Sequence, residues 1–281
     1  MRSVFIGSKN EFDEVIVDWL AHNTELTGVV WSDSAIWRKT WRGRIKYGMK
    51  RAKKYGLLKI IDELLLFFYV KKKVAVKELG FLKREVIRPY WKNTGRKFSD
   101  LKFKEMSSDN VNKKDVLSFI EEVKPEIIFA MCVNDFFGKK IRNIPKHGVF
   151  LWHEGLTPEY KGLYSPFWTL YNKEYDKLAY TFLRMNDDID GGEIFVQGFA
   201  KGIDLAKHNY SFIGHKAIFD SLPEVQEFLI KLENGNAPRL PKRNAKPGYY
   251  TYPGLTHYMS MRSKLRKHLS IRRGGMVNYN Y

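Results

Sequence analysis

At 281 residues and 44% hydrophobic content, the chain can bury one large core, which excludes a disordered protein. Its single cysteine, Cys132, excludes an intrachain disulfide and a cysteine-based zinc site, and no uncharged apolar run is long enough to span a bilayer. A formal charge of +18 points to a polyanionic neighbour, whether phosphate groups, nucleic acid or an anionic membrane surface.

The charge is concentrated. Residues 33–92 hold 18 Lys/Arg against 5 Asp/Glu, and residues 239–273 hold 10 against none, so the rest of the chain is net acidic. The basicity belongs to an insert and a tail rather than to the body between them.

In chain order, Val4-Phe5-Ile6 predicts a buried strand ending at Gly7-Ser8. No long apolar leader precedes it, so no secretory signal is expected and the expected location is cytoplasmic. Apolar residues at Phe12, Val15, Ile16, Trp19 and Leu20 predict a helix over 10–22, and Leu26 to Trp31 a second buried strand. Strand, helix and strand in this order make a parallel βαβ unit. Residues 33–92 interrupt the pattern. The run from Leu57 to Phe68 predicts a helix with Lys71-Lys72-Lys73 beyond it, where cations suit a helix C-terminus. That helix either packs on the core or docks on anionic lipid with Trp37, Trp41 and Tyr47 as anchors.

The α/β rhythm resumes with a predicted helix over 111–123, capped by Asp109 or Asn110, and a buried strand at Ile127 to Met131. A turn and short helix over 134–141 precede another strand, Gly148 to Trp152. A helix is expected at 165–171, strands at 177–185 and 194–199, and a long helix or helix pair at 209–233. Beyond Gly235, four prolines and several tyrosines indicate an irregular wrap, followed by a basic helix near 258–269. The expected division is a catalytic domain over 1–235 containing the 33–92 insert, then a basic extension over 236–281.

Three features converge on chemistry. A buried strand delivers Trp152-His153-Glu154-Gly155 at its C-terminal end, where open α/β sheets bind ligands. The loop Leu156-Thr157-Pro158-Glu159-Tyr160-Lys161-Gly162 follows directly. Downstream, Asp187-Asp188-Ile189-Asp190-Gly191-Gly192 places three carboxylates and two glycines between strands. The acids lack EF-hand calcium spacing, and no metal site is expected.

The stretch from Ile144 to Gly162, together with Asp187 to Gly192, resembles the folate-dependent formyltransferases. That family carries a strand ending Asn-x-His-x-Ser, then Leu-x-Pro-x-(Tyr or Trp)-(Arg or Lys)-Gly, then a downstream aspartate block. The layout is similar to that of the sugar N-formyltransferases. The resemblance covers about residues 1–32 and 105–235. It implies a Rossmann-like, mostly parallel sheet flanked by helices, the formyltransferase fold. It implies His153 and Asp190 as catalytic residues, with 10-formyltetrahydrofolate as donor. Asp187, Asp188, Ile189 and Met131 become candidate cofactor contacts, and Glu154, Tyr160, Lys161 and Gly162 candidate substrate contacts. The implied acceptor is a small-molecule amine, such as an amino sugar on a nucleotide or phosphate carrier. A homodimer is a further expectation, as is peripheral contact with an anionic membrane or polyanion through 37–73 and 262–273.

The chain departs from the family at three places. Leu151 stands where the motif has asparagine, Gly155 where it has serine, and one extra residue separates Gly162 from Pro166. Leucine cannot donate to an oxyanion, and loss of one such donor costs on the order of 100- to 1,000-fold in turnover. Asn134 is a candidate replacement donor. A hydrolase or other acyl transferase using Glu154, and a catalytically degenerate basic binding protein, remain alternatives.

Overall fold

The computed structural model describes residues 1–32, 41–131, 133 and 135–275. Trp37, Cys132 and Asn134 lie outside the described residues, as does the side chain of Trp41.

The chain opens with the expected βαβ unit: β1 (Arg2–Gly7), α1 (Glu11–Asn23) and β2 (Glu25–Ser32). Asn10 starts α1 because its side-chain oxygen accepts from the backbone N–H groups of Phe12 and Asp13, at 2.9 and 3.0 Å. This satisfies two donors that the first helical turn leaves free. The body continues through β3 (Lys104–Ser108), α6 (Lys114–Val123), β4 (Ile127–Met131), α7 (Lys139–Asn143) and β5 (Val149–His153). Next come β6 (Lys161–Gly162), α8 (Ser165–Tyr171), β7 (Ala179–Arg184), β8 (Glu193–Phe199), α9 (Tyr210–Asp220) and α10 (Leu222–Glu233).

Among the described residues, seven strands form one sheet in the order β3-β2-β1-β4-β5-β7-β8. The first five run parallel; β7 is antiparallel to β5, and β8 to β7. Alternate side chains feed two cores. On one face Phe5, Val29, Trp31, Phe129, Phe150, Trp152 and Phe182 pack with α1, α9 and α10. On the other, Val4, Ile6, Val30, Ile128, Ala130 and Val149 pack with α6 and α7. Strands buried on both sides are near-continuously apolar, which is why these were readable from the sequence.

Among its described residues, the insert folds as four helices: α2 (Trp41–Tyr55), α3 (Leu57–Lys73), α4 (Ala75–Leu82) and α5 (Arg88–Thr94), with a π-helical turn at Lys83–Ile87. Its far end is pinned to the body. The Tyr90 hydroxyl and the Arg96 guanidinium both donate to the buried Asp18 carboxylate, at 2.5 and 2.7 Å. The tail forms β9 (Tyr249–Tyr250) and α11 (Leu255–Gly275). It does not stand apart: β9 pairs in parallel with β6, and α11 packs against α3 and α8 around Leu66, Phe167, Leu170, Tyr258 and Met261.

One strand and two helix boundaries differ from expectation. The polar β3 adds an edge strand the sequence did not announce. Helix α6 begins at Lys114, not Val111, because the Val111 N–H donates to Asp135 at 3.2 Å rather than entering a helix. Helix α7 begins at Lys139, after an irregular stretch. Among the described residues, no helix is long and apolar enough to cross a membrane.

Candidate active site

His153 is the last residue of β5, so the sheet delivers its imidazole to the carboxyl edge. Asp190 comes from the loop between β7 and β8. The two side chains, 5% and 9% exposed, approach to 3.6 Å between Nδ1 and Oδ2. The other ring nitrogen, Nε2, lies 2.6 Å from the Tyr160 carbonyl oxygen. That oxygen can only accept, so Nε2 carries a hydrogen and donates to it, leaving Nδ1 as the nitrogen turned toward Asp190.

Asp190 is held on a second side. The Gly162 N–H donates to its Oδ2 at 2.7 Å. Asp190 itself adopts a left-handed backbone (φ 48°), one that Asp tolerates better than most residues. Gly162 is required where it stands: its φ is 95°, and an added Cβ would lie 2.2 Å from the Tyr250 carbonyl oxygen. Tyr250 belongs to β9, so the tail strand lies directly behind the residue that anchors Asp190.

The loop after β5 is tied down along its length. The Tyr160 hydroxyl donates to Glu174 at 2.6 Å, and its ring stacks on Tyr250 with centroids 5.3 Å apart. Lys161 Nζ reaches Asp188 at 2.8 Å. Asp187 pairs with Arg142 and, at 3.9 Å, with Lys139. Asp187 and Asp188 remain largely exposed, so carboxylate acceptor capacity still faces solvent. Ile189, 45% exposed, adds an apolar side chain next to them in the loop. Met131 is different: at the end of β4 its side chain is wholly buried in the core beside Trp152.

Glu154 lies against Gly214 of α9; an added Cβ there would sit 2.0 Å from Glu154 Oε2. Burial pushes the Glu154 carboxyl up to about 7. Among the described residues it makes no hydrogen bond to His153. Thus His153, Asp190, Tyr160, Lys161 and Gly162 converge, Asp187, Asp188 and Ile189 form the adjoining rim, and Glu154 points toward α9.

The departures from the family motif now have local explanations. Leu151 shares the strand face of Val149 and packs beside the apolar cluster on that side of the sheet. A serine at 155 would not fit, because a Cβ there would lie 2.6 Å from His153 Nε2, from Ser165 Cβ and from the Tyr160 carbonyl. Ser165, which sequence reasoning missed, brings a hydroxyl to the same ring: its Oγ lies 3.3 Å from His153 Nε2 and donates to the Tyr160 carbonyl at 3.1 Å. The available signal was Ser165-Pro166, a serine at a helix start with proline just inside it. Two cavities of about 300 and 260 Å³ lie elsewhere, against α11, and no site residue lines them. Among the described residues, no group of three metal-ligating side chains is assembled.

No family model matches the chain. Methionyl-tRNA formyltransferase of Thermotoga neapolitana is 32% identical over 127 residues, which are 45% of this chain and 40% of that protein. The bifunctional polymyxin resistance protein ArnA of Wigglesworthia glossinidia brevipalpis is 34% identical over 88 residues, 31% of this chain and 13% of that one. The matched segment thus spans less than half the length of these curated relatives. A sugar N-formyltransferase from Shewanella sp. FDAARGOS_354 shares the fold at a TM-score of 0.53 and 13% identity, over 94% of this chain and 87% of that one. An N-formyltransferase from Helicobacter canadensis, solved with folinic acid and dTDP-3-aminofucose, matches at a TM-score of 0.51 and 14% identity, over 89% and 71%. Similar over part of its length to methionyl-tRNA formyltransferases and to ArnA, and in fold to sugar N-formyltransferases, this chain carries an α/β body with the formyltransferase fold.

Proposed function

We propose that this protein is an N-formyltransferase that moves a formyl group from 10-formyltetrahydrofolate to the amine of a small molecule. The observation that carries the reading is the His153–Asp190 pair, 3.6 Å apart at the carboxyl edge of the sheet. A folate donor suits the rim beside it: the exposed apolar Ile189 offers packing, and the Asp187 and Asp188 carboxylates accept from ring N–H groups. The folinic acid held by the Helicobacter canadensis neighbour is the same class of molecule.

Bound folate would supply the formyl carbon and a nitrogen leaving group. The chain's own residues handle the proton and the geometry. Formyl transfer requires one proton to leave the attacking amine and one to reach the departing nitrogen. Asp190 Oδ2, fixed by Gly162 N–H, is placed to orient His153 through Nδ1. Tyr160 and Ser165 hold the opposite edge of the ring. Leu151 contributes no oxyanion donor and both ring nitrogens of His153 face partners within the chain, so donation to the oxyanion falls to main-chain N–H groups of the surrounding loops.

The acceptor we favour is an amino sugar on a nucleotide or another phosphorylated carrier. The basic insert and tail suit a phosphate-bearing molecule, and dTDP-3-aminofucose in the Helicobacter canadensis neighbour is of this class. Hydrolysis through Glu154 is less favoured, because that side chain packs on Gly214 away from the histidine.

The test is incubation of the purified chain with 10-formyltetrahydrofolate and a panel of amino-sugar nucleotides, following tetrahydrofolate release and formylated product. Asp190→Asn should lower turnover by about 100- to 10,000-fold with folate affinity retained. Formyl transfer undiminished in both Asp190→Asn and His153→Ala, or absence of folate binding by the wild-type chain, would overturn the reading.

A further inference from the structure

An amphipathic helix packed on a domain buries one stripe and shows water the other. Helix α3 does not follow that rule. Its inner side packs Leu66, Tyr69 and Val70 against α8 and α11. Its outer side is also apolar: Leu58 is 83% exposed, Ile61 44%, Leu65 50% and Phe68 54%. These four follow helical spacing and form one stripe. Leu57 and Leu64 widen it.

The two acids of α3 are turned away from this stripe. Asp62 accepts from the Thr256 backbone N–H and hydroxyl at 3.0 and 2.6 Å, and Glu63 makes a bidentate pair with Arg51 at 2.7 and 2.8 Å. Cations flank the helix in sequence. Lys50, Lys53 and Lys54 are exposed on α2 just before it, and Lys71-Lys72-Lys73 end it. Over residues 41–73 there are 11 Lys/Arg and 2 Asp/Glu.

From this arrangement we infer that the outer face of α3 docks on the surface of an anionic lipid bilayer, with the helix lying in the plane of the interface. The charge pattern selects this occupant. A second copy of the chain would bring two strongly cationic segments against one another, each with 11 Lys/Arg and 2 Asp/Glu over residues 41–73. A nucleic acid would neutralise the lysines and leave the leucines and Phe68 in water. An anionic bilayer meets both, taking apolar side chains below the headgroups and lysines among them. The 17 residues of α3 give a contact about 25 Å long. The inference is independent of the formyl-transfer reading, since none of these side chains touches the site.

The experiment is co-sedimentation of the full chain with vesicles of phosphatidylcholine, alone or mixed with phosphatidylglycerol. Strong binding is expected only to the mixed vesicles, weakening as salt is raised. The double variant Leu65→Glu/Phe68→Glu alters only exposed positions. It should lower the partition coefficient at least about tenfold while its melting temperature stays near that of the wild type. Three results would overturn the inference: no binding to mixed vesicles, binding unchanged in the double variant, or a dimer by sedimentation equilibrium that the double variant converts to monomer with no lipid binding in either. Formyl transfer, measured without lipid, should be unaffected by the double variant, which keeps this test separate from that of the catalytic assignment.

Discussion

The corner around His153 and the outer face of α3 each hold residues in the environment they ordinarily avoid. In the corner, a histidine and an aspartate are buried; on α3, leucines and a phenylalanine are exposed. The corner resolves its misfit internally. The imidazole faces the Tyr160 carbonyl and Asp190, and Asp190 takes the Gly162 N–H. Nothing in the described structure resolves the misfit on α3. Buried polar groups with every partner inside the chain mark a device the fold has completed, whereas a stripe of apolar side chains left largely in water marks a surface awaiting one.

Neighbouring positions on α3 sharpen that contrast most. Leu66 is 5% exposed within the cluster shared with α8 and α11, while Leu65 is 50% exposed. Leu66→Ala should destabilise by about 2–5 kcal/mol and Leu65→Ala by no more than about 0.5 kcal/mol in urea unfolding. Equal losses would show that the outer face is covered within the folded chain. A smaller effect is expected in the corner. Gly162→Ala drives a methyl into the Tyr250 carbonyl, so it should cost about 1–3 kcal/mol and reduce formyl transfer through displacement of Asp190. Full activity with unchanged stability would mean that β9 does not support the loop.

The smallest effect concerns Glu154. Its carboxyl is raised to about 7, so the folded state keeps the proton that the unfolded chain loses near 4.5. Stability contributed by the neutral form is complete below pH 4.5 and is lost as pH rises toward 7. Glu154→Gln should therefore gain on the order of 1–2 kcal/mol over wild type at pH 8 and nothing at pH 4.5, by thermal or urea melts at the two pH values. Asp13 and Glu78 are also raised to about 7 by burial, so the variant should flatten the wild-type pH slope without abolishing it.

Much of this contrast was readable from the sequence, for physical reasons that vary by element. Strands β1, β2, β4 and β5 are buried on both faces and so read as unbroken apolar runs. The pairing of His153 with Asp190 was legible because both lie in motif positions beside glycines. The edge strand β3 was not. Its sequence Lys-Glu-Met-Ser-Ser has one strand neighbour and mostly exposed side chains, so nothing apolar marks it. Helix α2 escaped notice for a related reason: lysines and arginines dominate its composition, and two glycines interrupt its few apolar residues. Ser165 was missed because its approach to His153 depends on a chain reversal across Gly155 and Tyr160, which spacing alone does not encode.

The parallel pairing of β6 with β9 also sets an order of assembly. During synthesis, residues 1–235 leave the ribosome before Tyr249 and Tyr250. Until those two tyrosines arrive, the Gly162 loop lacks its strand neighbour, and the Asp190 carboxylate hangs from a main chain with nothing behind it. A nascent body can thus collapse its core early, while the loop that holds Asp190 gains its strand support only when the tail strand emerges.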